Sequence, residues 1–187
     1  MAEVADEELV RRVQAGDKKS FDLLVIKYQH KIVQLVNRYV RDPSEAQDVA
    51  QETFIKAYRA LPSFRGDSAF YTWIYRIAIN TAKNHLASRA RRPSDDDIDV
   101  ESAEQFESAI GLKDTETPEG VVLTEELARI IQSALDDLPD ELREAITLRE
   151  FDGLSYDEIA EAMNCPVGTV RSRIFRAREA IDRKIKS

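Results

Sequence analysis

The stretch Gly153-Leu154-Ser155-Tyr156-Asp157-Glu158-Ile159-Ala160-Glu161-Ala162-Met163-Asn164-Cys165-Pro166-Val167-Gly168-Thr169-Val170-Arg171-Ser172-Arg173-Ile174-Phe175-Arg176-Ala177-Arg178 decides the fold. Ser155 followed three residues later by Glu158 is a capping box and opens a short helix. Asn164 tolerates left-handed backbone, so the chain can turn there, and Pro166 suits the start of a second helix. Ala160 is small where two crossing helices would touch, and Ile159, Met163, Cys165, Val170 and Ile174 can form a shared core. This is a helix-turn-helix pattern over residues 155–178. Its second helix presents Thr169, Arg171, Ser172, Phe175, Arg176 and Arg178 outward. Arginine can read guanine edges bidentately, while Thr169 and the helix N-terminus suit phosphate. The plainer alternative is an amphipathic hairpin with a basic face. The coincidence of cap, turn, small residue and basic second helix favours DNA.

Working outward, residues 118–138 predict one helix around Val122, Leu127, Ile130, Ile131, Ala134 and Leu135. Residues 140–151 predict another around Leu142, Ala145, Ile146 and Leu148, ended by Gly153. Toward the N-terminus, Asp6-Glu7-Glu8-Leu9 opens a short helix that stops at Gly16. Phe21, Leu24, Val25, Tyr28, Ile32, Leu35, Val36 and Tyr39 then make one buried stripe on a long helix. Asp42-Pro43-Ser44-Glu45 is a new start with Asp42 as N-cap, and the inward stripe of that helix is Ala46, Val49, Ala50, Phe54, Ala57 and Leu61. A further helix over 69–88 is expected to bury Trp73, Ile74, Ile77, Ala78 and Leu86. Nothing alternates like a strand, so the expected class is all-α: two small helical domains, 1–92 and 118–187.

Charge separates these blocks. The chain of 187 residues has a net charge of -8, which taken whole argues against a nucleic-acid partner. Residues 1–92 carry 16 basic and 11 acidic side chains, a net of +5, whereas residues 93–128 carry Lys113 against 12 acids, a net of -11. Residues 129–187 carry 10 basic and 12 acidic side chains, but their tail from Asn164 is +5. The acidity is therefore largely confined to 93–117 and its border, a segment with little periodicity that reads as a flexible acidic linker. Whether it is only a tether or occupies a site meant for nucleic acid, composition does not decide. A single cysteine forms no internal disulfide or Cys-based zinc site, no apolar run approaches a membrane span, and the first residues lack signal-peptide character. A cytoplasmic protein is expected.

A second informative stretch runs from Ser63 to Asn84. Phe64, Phe70, Tyr71, Trp73 and Tyr75, five of the chain's 14 aromatics, lie within 12 residues and are interleaved with Arg65, Arg76 and Lys83. Aromatic faces stack on unpaired bases while cations hold the backbone, which suits single-stranded nucleic acid. Asn80 and Asn84, four apart, could read a base edge. The same aromatics could equally fill a core, and for Trp73 that is the expectation. Catalysis finds little support. His30 and His85 sit in no metal-spaced cluster, and there is no Walker glycine loop, dinucleotide fingerprint or Gly-x-Ser-x-Gly. No catalytic residue, metal or cofactor is expected, and the chain is not read as an enzyme.

Asp42-Pro43-Ser44-Glu45-Ala46-Gln47-Asp48-Val49-Ala50-Gln51-Glu52-Thr53-Phe54, Phe64-Arg65-Gly66-Asp67-Ser68 leading into Trp73-Ile74-Tyr75-Arg76-Ile77-Ala78, and Gly168-Thr169-Val170-Arg171-Ser172-Arg173 together resemble the extracytoplasmic-function sigma factors of bacterial RNA polymerase, within them the envelope-stress RpoE/AlgU-like subgroup. The resemblance implies a sigma-2 domain over 1–92, the acidic linker over 93–117 and a sigma-4 domain over 118–187. It implies docking on core polymerase, at the β′ clamp coiled coil and the β flap, with Asp48, Gln51, Glu52 and Ile55 as the clamp-facing residues. Phe64, Arg65 and Ser68 would surround a base flipped from the non-template strand of the -10 element, and Tyr75, Arg76, Asn80, Lys83 and Asn84 would contact the melting duplex. Thr169, Arg171, Ser172, Phe175, Arg176 and Arg178 would meet the -35 element. The linker would thread the RNA-exit path, and an anti-sigma factor, commonly membrane-anchored in this subgroup, would hold the protein inactive at the inner membrane. Two rivals stay open: a regulator that binds duplex DNA through the helix-turn-helix alone, and a helical adaptor that touches only proteins.

Overall fold

The computed structural model describes residues 5–91 and 118–187, and the expected linker, 93–117, lies outside them. Among the described residues all regular structure is helical, and the chain divides into two compact units. In the first, α1 (Asp6–Gln14), α2 (Lys18–Asn37), α3 (Pro43–Ala60) and α4 (Phe70–Ala90) form a bundle, with a 3-10 turn at Leu61–Ser63. The second is built around α5 (Pro118–Asp136), α6 (Asp140–Glu150), α7 (Tyr156–Met163) and α8 (Val167–Lys186). No helix among the described residues is long and apolar enough to cross a membrane.

Local chemistry sets the breaks in the first unit. Gly16 takes φ +104, and the Gly16 and Asp17 amides donate back to the carbonyls of Val13 and Arg12 at 2.9 Å each, which closes α1. Asp17 then caps α2, accepting from the Lys19 amide at 3.1 Å and the Ser20 hydroxyl at 2.9 Å. The hydroxyl bond holds the Asp17 carboxyl below its usual range. Asp42 caps α3 as its sequence predicts, accepting from the Ser44 amide at 2.8 Å. Ala46, Val49, Ala50, Phe54, Ala57 and Leu61 are all buried, as are Leu24, Ile32 and Leu35 of α2 and Ile74, Ala78 and Ile79 of α4. Each such Leu or Ile contributes about 1.5–3 kcal/mol over the exposed state. Lys27 and Tyr28 of α2 both bond to Asp6, tying the short α1 to the bundle.

Helix α4 departs from expectation. Trp73, Ile77 and Leu86 are only half-buried, whereas Phe70, Tyr75 and Ala82 are buried. At 100° per residue the inward arc is centred between Ile74 and Ala78, which places position 75 inside and position 73 at the margin. Val25 of α2 and Tyr39, just past its end, are also half-buried rather than buried.

The second unit keeps the expected order with one correction. Val122 and Leu127 of α5 are 62% and 43% exposed, so the buried face begins at Ala128 and continues through Ala134 and Leu135, with Leu138 buried just past the helix. The Arg143 guanidinium donates to the carbonyls of Leu135 at 3.0 Å and Leu138 at 2.8 Å. It thereby satisfies acceptors that the end of α5 leaves without intrahelical partners. Ala145, Ile146 and Leu148 of α6 are buried, with Leu142 half-buried, and Gly153 turns the chain at φ +67.

Candidate nucleic-acid interface

In the second unit the capping box of α7 is closed from both sides. The Ser155 amide donates to Glu158 Oε1 at 3.0 Å, and the Glu158 amide donates to Ser155 Oγ at 3.2 Å. Helix α7 ends with Asn164 at φ +53, the Asn164 amide bonded to the Glu161 carbonyl and the Cys165 amide to the Ala160 carbonyl. That pair of bonds is a Schellman closure, which ends α7 and turns the chain into α8. Ile159, Ala162, Val170 and Ile174 are buried, and Ala160, Met163 and Cys165 are half-buried.

The basic residues of α8 fall into two groups. Arg173 pairs with Glu141 at 3.2 Å and Arg178 with Glu150 at 2.8 Å, while Lys184 pairs with Asp137 and Lys186 with Asp182. The bond to Glu150 raises the Arg178 pKa further. Arg171 and Arg176 are exposed and make no ion pair among the described residues. Ser172 is exposed between them, and Phe175 stands 63% exposed beside Arg176. Thr169 is half-buried in the first turn, where a Cβ added at Gly168 would meet nothing within 4 Å. The helix start is thus open to a phosphate. Of the six residues read from the sequence, Arg171, Ser172, Phe175 and Arg176 form an unengaged surface. Arg178 is exposed and pairs with Glu150 of α6.

In the first unit the stretch from Phe64 to Ala69 links the 3-10 turn to α4, with Gly66 at φ +78. The Phe64 ring lies against Trp73, centroids 4.9 Å apart and planes tilted by 47°. Trp73 in turn touches Phe70 at 5.8 Å, and Phe70 touches Tyr28 at 5.6 Å. Phe64 and Ser68 are half-buried, and Arg65 is exposed with no partner among the described residues. Trp73, Arg76, Asn80, Lys83 and Asn84 share one outward face of α4, on which Asn80, Lys83 and Asn84 are exposed and Arg76 is half-buried. Tyr75 is a correction: at 3% exposure it sits in the core, its ring edge-on to Tyr71 at 6.3 Å, and does not present itself to a ligand. Trp73 takes the place at the surface that the sequence reading gave to Tyr75. Sequence reasoning also missed Gln14, whose side-chain amide donates to the carbonyls of Leu61 at 3.0 Å and Phe64 at 2.9 Å. No local pattern marks it, because its partners lie 47 and 50 residues away.

Helix α3 presents Asp48, Gln51 and Glu52 to solvent with Ile55 52% exposed among them, and Glu52 pairs with Lys56 at 3.3 Å. Phe21, Phe54, Ile55, Tyr58 and Arg59 line a shallow groove beside this face. Among the described residues no group of three or more His, Cys, Asp or Glu could hold a metal ion.

Known proteins match this arrangement. The model of Sigma-70 region 2 matches residues 24–92, and that of Sigma-70, region 4 matches residues 128–181. The RNA polymerase sigma-H factor of Pseudomonas aeruginosa is 64% identical over 181 residues, 97% of this chain and 94% of that protein. The ECF RNA polymerase sigma-E factor of Escherichia coli K12 is 62% identical over 185 residues, 98% of this chain and 96% of that protein. The chain belongs to the extracytoplasmic-function sigma factors of the sigma-70 family. Solved structures share the sigma-factor fold at lower identity. CnrH, solved with the cytosolic domain of CnrY, is 24% identical with a TM-score of 0.67, covering 98% of each chain. The sigma factor RpoE of Bartonella quintana, solved with the anti-sigma factor NepR, is 22% identical with a TM-score of 0.66, covering 90% of this chain and 98% of that one. In this sigma factor the helix-turn-helix lies inside the region 4 match. The Phe64 loop and α4 lie inside the region 2 match, and α1 precedes it.

Proposed function

We propose that this sigma factor directs initiation by joining two unlike DNA contacts on core polymerase, and that it has no catalytic step of its own. The observation that carries the reading is that one chain holds both an unpaired basic face on α8 and an aromatic loop backed by a polar helix face. Duplex DNA offers guanine O6 and N7 to Arg171 and Arg176 in the major groove of a -35 element, each good bidentate pair giving about 1–3 kcal/mol of discrimination. A melted -10 element offers an unstacked base to the loop. Stacking on an aromatic side chain supplies about 1–3 kcal/mol per base and offsets the cost of extruding it, so melting needs no ATP at this site. Phe64, Arg65 and Ser68 receive that base, and Arg76, Asn80, Lys83 and Asn84 follow the strand along α4.

Asp48, Gln51, Glu52 and Ile55 form the surface for the β′ clamp coiled coil; the β flap engages the 118–187 domain. The stress-related regulon follows from the resemblance to the envelope-stress subgroup, and control by an anti-sigma factor is proposed by analogy with the Bartonella quintana sigma factor solved with the anti-sigma factor NepR. A membrane-anchored anti-sigma factor would hold this otherwise cytoplasmic protein at the inner membrane. The deciding experiment is transcription by core polymerase with and without the protein on an envelope-stress promoter. Specific initiation only in its presence is expected. Equal output in both lanes, or tight duplex binding without polymerase, would favour the simple helix-turn-helix regulator.

A further inference from the structure

The loop that begins at Phe64 is held from two directions. Its ring rests on Trp73, and its carbonyl, with that of Leu61, receives the two N–H groups of the Gln14 amide at 2.9 and 3.0 Å. Those carbonyls bracket the 3-10 turn, whose own closing bond runs from the Phe64 amide to the Leu61 carbonyl at 3.0 Å. Gln14 is the last residue of α1, a helix tied to α2 by the buried Leu9 and Val10 and by the bonds of Asp6 to Lys27 and Tyr28. A side chain on a fixed helix therefore sets the plane of the Phe64–Arg65 peptide. That peptide is trans, so its N–H points opposite to the carbonyl, away from Gln14. The Arg65 amide has no acceptor among the described residues.

We propose that Gln14 is a positioning residue for single-strand capture: its amide fixes the Phe64 carbonyl, and with it the Phe64 ring and the free Arg65 amide, in the geometry that accepts an extruded base. The proposal rests on the reading of this loop as the site of the flipped base. Gln14 touches no nucleotide; it acts by keeping the loop in one conformation, so that a strand need not select it from many. It lies ahead of the stretch that matches the region 2 model. If Gln14 is replaced, the buried Leu61 carbonyl keeps its bond from the Phe64 amide and the Phe64 carbonyl, whose bond is exposed, can turn to water, so the effect falls on loop order more than on folding.

The test compares four forms of the full-length protein on core polymerase: the parent, Gln14→Met, which keeps the length without donors, Gln14→Glu, which turns acceptors onto two carbonyls, and Gln14→Lys, which restores N–H donors at similar reach. The probe is a short fluorescein-labelled single-stranded oligonucleotide with the non-template -10 sequence, followed by anisotropy. Trp73, the only tryptophan, reports loop order in the free protein through its quenching by acrylamide. With the competent loop fraction reduced, Met and Glu should bind about tenfold more weakly and Lys within about twofold of the parent. Trp73 should be more quenchable in Met and Glu alone, and the Tm of each variant should stay within about 4 °C of the parent. Parent-like binding by Gln14→Met overturns the proposal, as does a Lys variant no better than Met or a large fall in Tm in all three. Phe64→Ala separates the two levels of inference. If Phe64→Ala binds as the parent does, or the parent fails to bind the strand, the reading of the loop itself falls. If Phe64→Ala loses binding and Gln14→Met does not, only the role of Gln14 falls.

Discussion

Helix α8 and the Phe64 loop are both read as DNA contacts, yet they are built in opposite ways. The reader helix stands on a regular backbone whose cap and turn come from the 24 residues around it, with Glu141 and Glu150 of α6, and Asp137 just before it, pairing with Arg173, Arg178 and Lys184. The loop has no regular backbone; its shape depends on Gln14 before it, Trp73 after it and Gly66 within it. A helix face offers fixed spacing to the stacked edges of a duplex. A braced loop offers a seat for one base that has left the stack.

Ile174→Ala should give the largest effect. It empties a fully buried position under α8 and should cost about 2–5 kcal/mol in the second unit. Upstream-element recognition should be lost while single-strand binding by the first unit persists; parallel loss of both in gel-shift and anisotropy assays would break the contrast between self-contained units. Phe64→Ala comes next. Loss of one stacking surface, about 1–3 kcal/mol, should slow promoter opening, measured by permanganate reactivity, with core-polymerase association intact. Equal losses would contradict base capture.

Arg176→Ala sharpens the other side. About 1–3 kcal/mol should be lost on the preferred upstream sequence and little on mutated ones, if the contact is bidentate to a base. A uniform loss across sequences would mark a phosphate contact. Ser155→Ala should have the smallest effect, about 1 kcal/mol from an opened capping box, visible as a lower Tm without altered sequence preference.

These differences in construction explain what could be read ahead of the structure. The helix-turn-helix is legible because Ser155, Glu158, Asn164 and Pro166 each act within a few residues of themselves, and the cap at Asp42 has the same short reach. Helix α4 is harder: Phe70, Tyr71, Trp73, Ile74, Tyr75, Ile77 and Ile79 carry apolar character around most of its circumference, so periodicity does not single out an inward face, and Trp73 and Tyr75 exchange places. The N-terminal turns of α5 show the converse, a periodic stripe at Val122 and Leu127 that faces solvent. Gln14 is invisible locally because its meaning lies in two distant carbonyls.

The ion pairs of α8 also bear on how the protein responds to salt. Of the seven cations in the +5 tail, Arg173, Arg178, Lys184 and Lys186 already face carboxylates of their own unit. Counterion release counts only charges that newly neutralise phosphates, at a slope of about 0.9 per phosphate in a plot of log affinity against log salt. On the proposed reading Arg171 and Arg176 meet base edges, and the four paired cations add little to that count, so the upstream contact should be far less salt-sensitive than its composition suggests. Its selectivity consequently rests more on base edges than on bulk attraction.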